Sequence, residues 1–264
     1  MSDNSAVLME TKDRICVLTL NQPDKLNAMD DDMAREFIEA IDKLKTDPDP
    51  KVLILTGAGR AFSAGGNLNK IRANVGTNPV ARKKESYTFY NYFLRIRELE
   101  IPTIAAINGH AIGAGACVSL ACDMRIAADN CKIGFTFAKI GLHPGMGAEY
   151  FLSRMVGRAR TFELLMTGDI ISAEEAFRIG LVNHIVPPDE LMNKAQELAR
   201  KIAAMPAAPI RMLKDSIDAA VNSTLAQTLH REASYQALCY MTNDIVEGIE
   251  STQEKRAPKF TDEY

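Results

Sequence analysis

Along the first half of the chain, short apolar runs alternate with longer stretches in which apolar residues recur every three or four positions. VLMET (7–11) and ICVLTL (15–20) flank the polar Lys12-Asp13-Arg14 and predict a β-hairpin. Between Met29 and Leu44, Met33, Phe37, Ile38, Ile41 and Leu44 keep helical spacing. Asp30, Asp31 and Asp32 open that stretch, where negative charge suits the positive end of a helix. VLILT (52–56) predicts a buried strand, a charged helix follows over 82–99, and IPTIAAI (101–107) predicts a second buried strand. MRIAA (124–128) and KIGFTF (132–137) add a third and a fourth, and from Pro144 onward the pattern is almost wholly helical. Strands and helices that alternate before a helical remainder predict an α/β core with a helical C-terminal part. The closing STQEKRAPKFTDEY is polar enough for a loose tail, except for Phe260.

Two of the strands run into stretches almost without bulk. After VLILT come Gly57-Ala58-Gly59-Arg60 and then Ala64-Gly65-Gly66; after IPTIAAI come Gly109, Ala111, Gly113, Ala114, Gly115 and Ala116. Small residues fill no core, and each glycine costs entropy on ordering. Either stretch alone reads equally as a tight turn or a close helix–strand contact. Together they predict two strand–turn–helix junctions whose first backbone N–H groups stay open to an incoming oxygen. Two such donors converging on one point would form an oxyanion hole. Other chemistries fit less well. Gly57-x-Gly59 is followed by Phe62 where a dinucleotide fingerprint has a third small residue, and neither G-x-x-x-x-G-K-[ST] nor G-x-S-x-G occurs.

Composition narrows the setting. The 264 residues are 47% apolar and 25% charged, which is ordinary for a globular chain. A net charge of -3 gives no reason to expect nucleic acid or an anionic membrane surface as partner. Cys16, Cys117, Cys122, Cys131 and Cys239 form no C-x-x-C pair and no ligand spacing with histidine, so neither a zinc site nor a disulfide framework is expected. No apolar run reaches the ~20 residues that span a bilayer, and MSDNSAVLMETKDR contains no signal-peptide core. A cytoplasmic protein is the expectation.

The two small-residue stretches together have a family likeness. AFSAGGNL (61–68) resembles the A-F-[CS]-A-G-[AG]-[DN]-L motif of the crotonase (enoyl-CoA hydratase/isomerase) superfamily, and NGHAIGAGACVSLACDMRIA (108–127) resembles its second oxyanion motif. KLNAM (25–29), the stretch from IGLHPG to NHIVP (140–187), and EKRAPKF (254–260) are similar to further family segments, in order along nearly the whole chain. The resemblance implies a spiral of ββα units over residues 1–200 and a helical oligomerisation region with a tail over 201–264, building a homotrimer or a dimer of trimers. It implies an acyl-CoA ligand in which coenzyme A belongs to the substrate and no separate cofactor is needed. It places the oxyanion N–H groups on Gly66 and Ala114, and the coenzyme A path along Lys25, Leu26, Ala28, Ala64, Gly66, Asn67 and Leu68. Asn67 stands where the motif often has aspartate. Phe260, and with it Lys259, would close over the adenine from a neighbouring part of the assembly.

The likeness fails at the proton-transfer groups. The two positions that carry glutamates in the hydratases hold Cys117 and Phe137, and the position that carries an aspartate in other relatives holds Gly145. Adding water to a double bond needs one group to activate water and another to protonate carbon. Phe137 does neither, and Cys117 on an apolar helix reads more simply as a small hydrophobe. Glu149 and His143 are the remaining acid/base candidates, each also readable as a surface charge. Asp123 reads as a brace and Lys139 as a solvated cation. Phe62, Tyr90, Phe137 and Met146 give the acyl side an apolar cast suited to a hydrophobic or aromatic acyl group. The expected activity is that of an enoyl-CoA hydratase/isomerase-type enzyme stabilising a thioester enolate. The alternatives are an acyl-CoA-binding protein without catalysis and a CoA-thioester hydrolase or decarboxylase.

Overall fold

The structure is a computed structural model describing residues 5–262. The expected hairpin is present as β1 (Val7–Lys12) and β2 (Ile15–Leu20), followed by α1 (Asp31–Thr46). The Asp30 side chain accepts from the Met33 amide and so caps α1. One unit then recurs: a long strand, a short strand and helix. β3 (Val52–Gly57) and β4 (Ala61–Ser63) lead into α2 (Leu68–Ala73) and α3 (Pro79–Leu94). Next, β5 (Thr103–Ile107) and β6 (His110–Ile112) lead into α4 (Ala114–Ala121). After them β7 (Met124–Ala128) and β8 (Lys132–Gly134) lead into α5 (Ala148–Met155) and α6 (Gly157–Thr167). The remainder is β9 (Ile170–Ser172), α7 (Ala173–Arg178), β10 (His184–Val186), α8 (Leu191–Ala203), α9 (Ala207–Ala220), α10 (Leu225–Cys239) and α11 (Asn243–Glu254).

The long strands build a six-stranded sheet in the order β1-β2-β3-β5-β7-β10, and the short ones a four-stranded sheet in the order β4-β6-β8-β9. Each unit therefore contributes one strand to either sheet before its helix, which is the α/β spiral of ββα units that the family resemblance implies. All six residues of β3 are buried, because both faces of the large sheet are covered. Leu53 and Leu55 pack with Phe37, Phe62 and Phe93 on one side; Val52 and Ile54 pack with Leu191, Ala195 and Ala199 of α8 on the other. Helix α8 runs through residue 200 as part of this core, and α9, α10 and α11 follow it.

Three expectations need correction. The stretch after Pro144 is not wholly helical, since β9 and β10 lie within it and β10 extends the large sheet beside β7. Strands of three residues are too short to show a period. The fourth strand ends at Gly134, and Phe137 instead precedes a tight turn over Ala138–Ile140. The helix expected over 82–99 begins earlier, where Asn78 accepts from the Val80 and Ala81 amides, and stops at Leu94.

The polar tail is held down. The Asp262 carboxylate accepts from Lys51 Nζ at 2.8 Å, Arg14 Nη1 at 2.6 Å and the Ala207 amide at 2.7 Å. Asp244 in turn accepts from the Thr261 and Asp262 amides. Burial alone would push the Asp262 carboxyl up, but these donors together hold it below the ordinary value of 3.8. A depressed carboxyl contributes stability above its unfolded-state value and loses it as pH falls through the folded-state value. Asp262→Asn is therefore expected to lower the urea midpoint at pH 7, by a difference that shrinks as pH falls below the unfolded-state value of 3.8.

A second buried charge braces the core. Arg125, 6% exposed, donates to the Leu181 and Cys122 carbonyls at 2.7 Å each. Arg125→Ala strands both acceptors and is expected to cost about 2–4 kcal/mol in urea denaturation.

Candidate active site

β4 and β6 are parallel neighbours in the small sheet, with Ala61 opposite His110 and Ser63 opposite Ala111. The two small-residue stretches therefore leave adjacent strands in the same direction and meet. A Cβ at Gly65, where φ is +84°, would stand 2.4 Å from the Ile112 carbonyl oxygen and 3.0 Å from the Ala114 nitrogen. A Cβ at Gly115 would stand 2.5 Å from the Ser63 carbonyl oxygen. The absence of side chains at 65 and 115 lets the loops touch main chain to main chain, and it leaves the Ala114 amide uncovered.

Ala114 is the first residue of α4, and its N-cap Gly113 has no side chain to close the helix end. Gly66 lies just before Asn67, whose side chain caps α2 by accepting from the Asn69 and Lys70 amides. So only the second junction has its donor in the first turn of a helix; Gly66 instead forms a bridge beside Met29. Neither the Gly66 nor the Ala114 amide has a protein acceptor among the described residues. Both residues line one cavity of about 510 Å³, a size suited to a small organic ligand.

Side chains missed by the sequence reading hold the first loop in place. Asn27 is fully buried and donates to the Ala58 and Ala61 carbonyls, while its Oδ1 accepts from the Gln22 amide. Ser63 Oγ donates to the Asn27 carbonyl at 2.7 Å and accepts from the Gly65 amide at 3.1 Å. Asn108 links the two junctions, accepting from the Gly57 amide and donating to the Gly59 carbonyl. A buried asparagine inside the otherwise apolar LNAM was the one signal available, since a polar side chain there needs partners.

Of the other residues singled out, Ala64, Asn67 and Leu68 line the cavity. Lys25, Leu26 and Ala28 stand beside it on the segment that pairs with the first loop, where the Ala64 amide donates to the Leu26 carbonyl. Lys25 is exposed and paired with Asp30. Phe137 and Met146 belong to the wall; Phe62 does not, being fully buried in the core. Phe260 lies apart, against α11, with its ring 3.7 Å from a Cβ position at Gly248.

The acid/base candidates divide. Cys117 is buried, its Sγ directed at the Gly145 carbonyl at 3.5 Å, and burial pushes the thiol far up, so it stays protonated and inert. His143 stands at the cavity rim with its side chain 80% exposed. Glu149 sits in the first turn of α5, outside the cavity wall, 3.2 Å from His143 Nε2. Asp123 braces the start of β5 by accepting from the Thr103 amide and hydroxyl, and it holds Lys214. Lys139 is exposed and paired with Asp169. Among the described residues no cluster of His, Cys, Asp and Glu is arranged to hold a metal ion, and no helix is long and apolar enough to cross a membrane.

Comparison with known proteins agrees with this fold. The family model described as enoyl-CoA hydratase/isomerase matches residues 10–263. The 1,2-epoxyphenylacetyl-CoA isomerase of Escherichia coli is 37% identical over 257 residues, covering 97% of this chain and 98% of its own. The short-chain-enoyl-CoA hydratase of Clostridium acetobutylicum is 34% identical over 251 residues, covering 95% of each. The crystal structure of an enoyl-CoA hydratase from Bacillus anthracis superposes with a TM-score of 0.92 at 32% identity, over 98% of this chain and 100% of that one. The chain belongs to the enoyl-CoA hydratase/isomerase family, the crotonase superfamily.

Proposed function

We propose that this protein binds an acyl-CoA thioester with its carbonyl oxygen between the Gly66 and Ala114 amides and stabilises the enolate formed there. The observation that carries this reading is the pair of unpartnered amides opening on one cavity. A thioester carbonyl is weakly basic until charge arrives from the α carbon. Two fixed donors then act on the developing oxyanion with little reorganisation, at about 3–4 kcal/mol of barrier per donor. The names of these two relatives, an isomerase and a hydratase of CoA thioesters, support the substrate class.

Coenzyme A would follow Ala64, Asn67 and Leu68 outward past Lys25, Leu26 and Ala28. Phe89, Phe137 and Met146 give the acyl end an apolar wall suited to a hydrophobic or aromatic group. Leu213, Ile217, Leu229, Leu238 and Ile249 on α9, α10 and α11 are exposed apolar side chains, which supports assembly as a homotrimer or a dimer of trimers. Within one chain Phe260 stands away from the cavity, so its proposed role over the adenine belongs to a neighbouring copy.

Turnover of an enoyl-CoA series from crotonyl to long-chain and phenyl-bearing thioesters tests the reading, with free CoA followed by a thiol reagent. Product with the thioester intact supports it; CoA release in step with product would favour hydrolysis, and tight binding without product a purely binding role. The double variant His143→Ala/Glu149→Gln is expected to keep turnover within about threefold, because the pair meets at the rim. Gly65→Ala is expected to lose about 2 kcal/mol or more of stability, from its positive φ and its clash with the Ile112 carbonyl. Gly66→Ala meets only Ile71 Cδ1 at 3.4 Å, and its thermal unfolding is expected to stay close to that of the parent.

A further inference from the structure

We infer that the Tyr90 hydroxyl is the catalytic group that exchanges a proton with the α carbon of the bound thioester, an inference that rests on the function proposed above. One face of α3 lines the cavity with Arg82, Glu85, Ser86, Phe89 and Tyr90. The charged groups along this wall and at its rim stand in ion pairs. Arg82 pairs with Glu85, Lys70 with Asp31, and His143 with Glu149 at the rim. Tyr90 is half-buried against the core, and its hydroxyl has no protein partner among the described residues.

Its position follows from Gly145. A Cβ built there would lie 2.6 Å from the Tyr90 hydroxyl oxygen and 2.7 Å from Cζ, so the phenol occupies the space that a side chain at 145 would claim. The Gly145 carbonyl in turn receives Cys117 Sγ, and Cys117 lies one turn along α4 from Ala114. The phenol is thus packed against the loop that backs the helix presenting the Ala114 amide. Cys117 is sealed, Phe137 has no exchangeable proton and Gly145 has no side chain. Tyr90 supplies the hydroxyl.

The step balances without a co-reactant. The phenolic O–H breaks, the electron pair of the enolate C=C forms the new C–H bond at the α carbon, and the thioester C=O is restored. Water entering the cavity returns a proton to the phenolate, and in the reverse direction the phenolate removes the α proton. One such group suffices to move a proton along an acyl chain, whereas hydration demands a second group to activate water. The wall therefore suits double-bond migration more than water addition.

The test is α-proton exchange in D2O with butyryl-, hexanoyl- and phenylacetyl-CoA, read by mass spectrometry, alongside calorimetric affinity for the same thioesters. Tyr90→Phe is expected to lower the exchange rate by about 100-fold or more while affinity stays within threefold. Gly145→Ala keeps the phenol but claims its place, and is expected to lower exchange at least tenfold. Exchange by Tyr90→Phe within threefold of the parent overturns the proposal, as does a parent protein that binds these thioesters and exchanges nothing. Failure to bind any thioester overturns the proposed function itself, and this inference with it.

Discussion

The contact on which the site depends is the close approach of two backbone segments with nothing between them. β4 and β6 pair for only a few residues, yet that pairing aims both loops the same way. Gly65 and Gly115 then allow separations that any Cβ would forbid. Side chains could supply donors too, but they would arrive on rotatable bonds. Main-chain amides fixed by a sheet on one side and a helix on the other are already ordered, as the proposed oxyanion contact would require.

The supporting structure treats polar groups in two opposite ways. In the frame the polar groups that hold the site are paired: Asn27, Ser63 and Asn108 tie the loops, and Arg125 and Asp123 brace the strands behind them. At the cavity the Gly66 and Ala114 amides and the Tyr90 hydroxyl are left without protein partners. Leaving groups unpaired is costly in a closed core but tolerable in a cavity open to solvent, where a ligand can later take the place of water.

How much of this was legible in the sequence depended on the range of the interaction. The hairpin, α1, the buried strands and the two small-residue loops carry their signals locally, in alternation, capping aspartate and runs of small residues. β9 and β10 were not legible, because three residues cannot establish a period and only the neighbouring strands make them strands. The reading of Phe62 as a wall residue failed for a related cause: alternation along a strand of three residues does not say which side is the cavity. Tyr90 was legible as an aromatic of the acyl wall, but not as a group with an unpaired hydroxyl. Its relation to Gly145 exists solely in three dimensions, as does the clasp between Lys51 and Asp262.

That clasp has a consequence for the molecule as a material object. The Lys51 side chain is only 6% exposed, and its counter-charge is supplied from the far end of the chain. Cutting the chain just before Asp262, by a protease or by careless choice of an expression boundary, would remove only three residues. It would nonetheless leave an ammonium group sealed beside the large sheet with no anion, and free the start of α9, whose Ala207 amide shares the same carboxylate. Asp262, plain and polar in appearance, is a buckle for the large sheet.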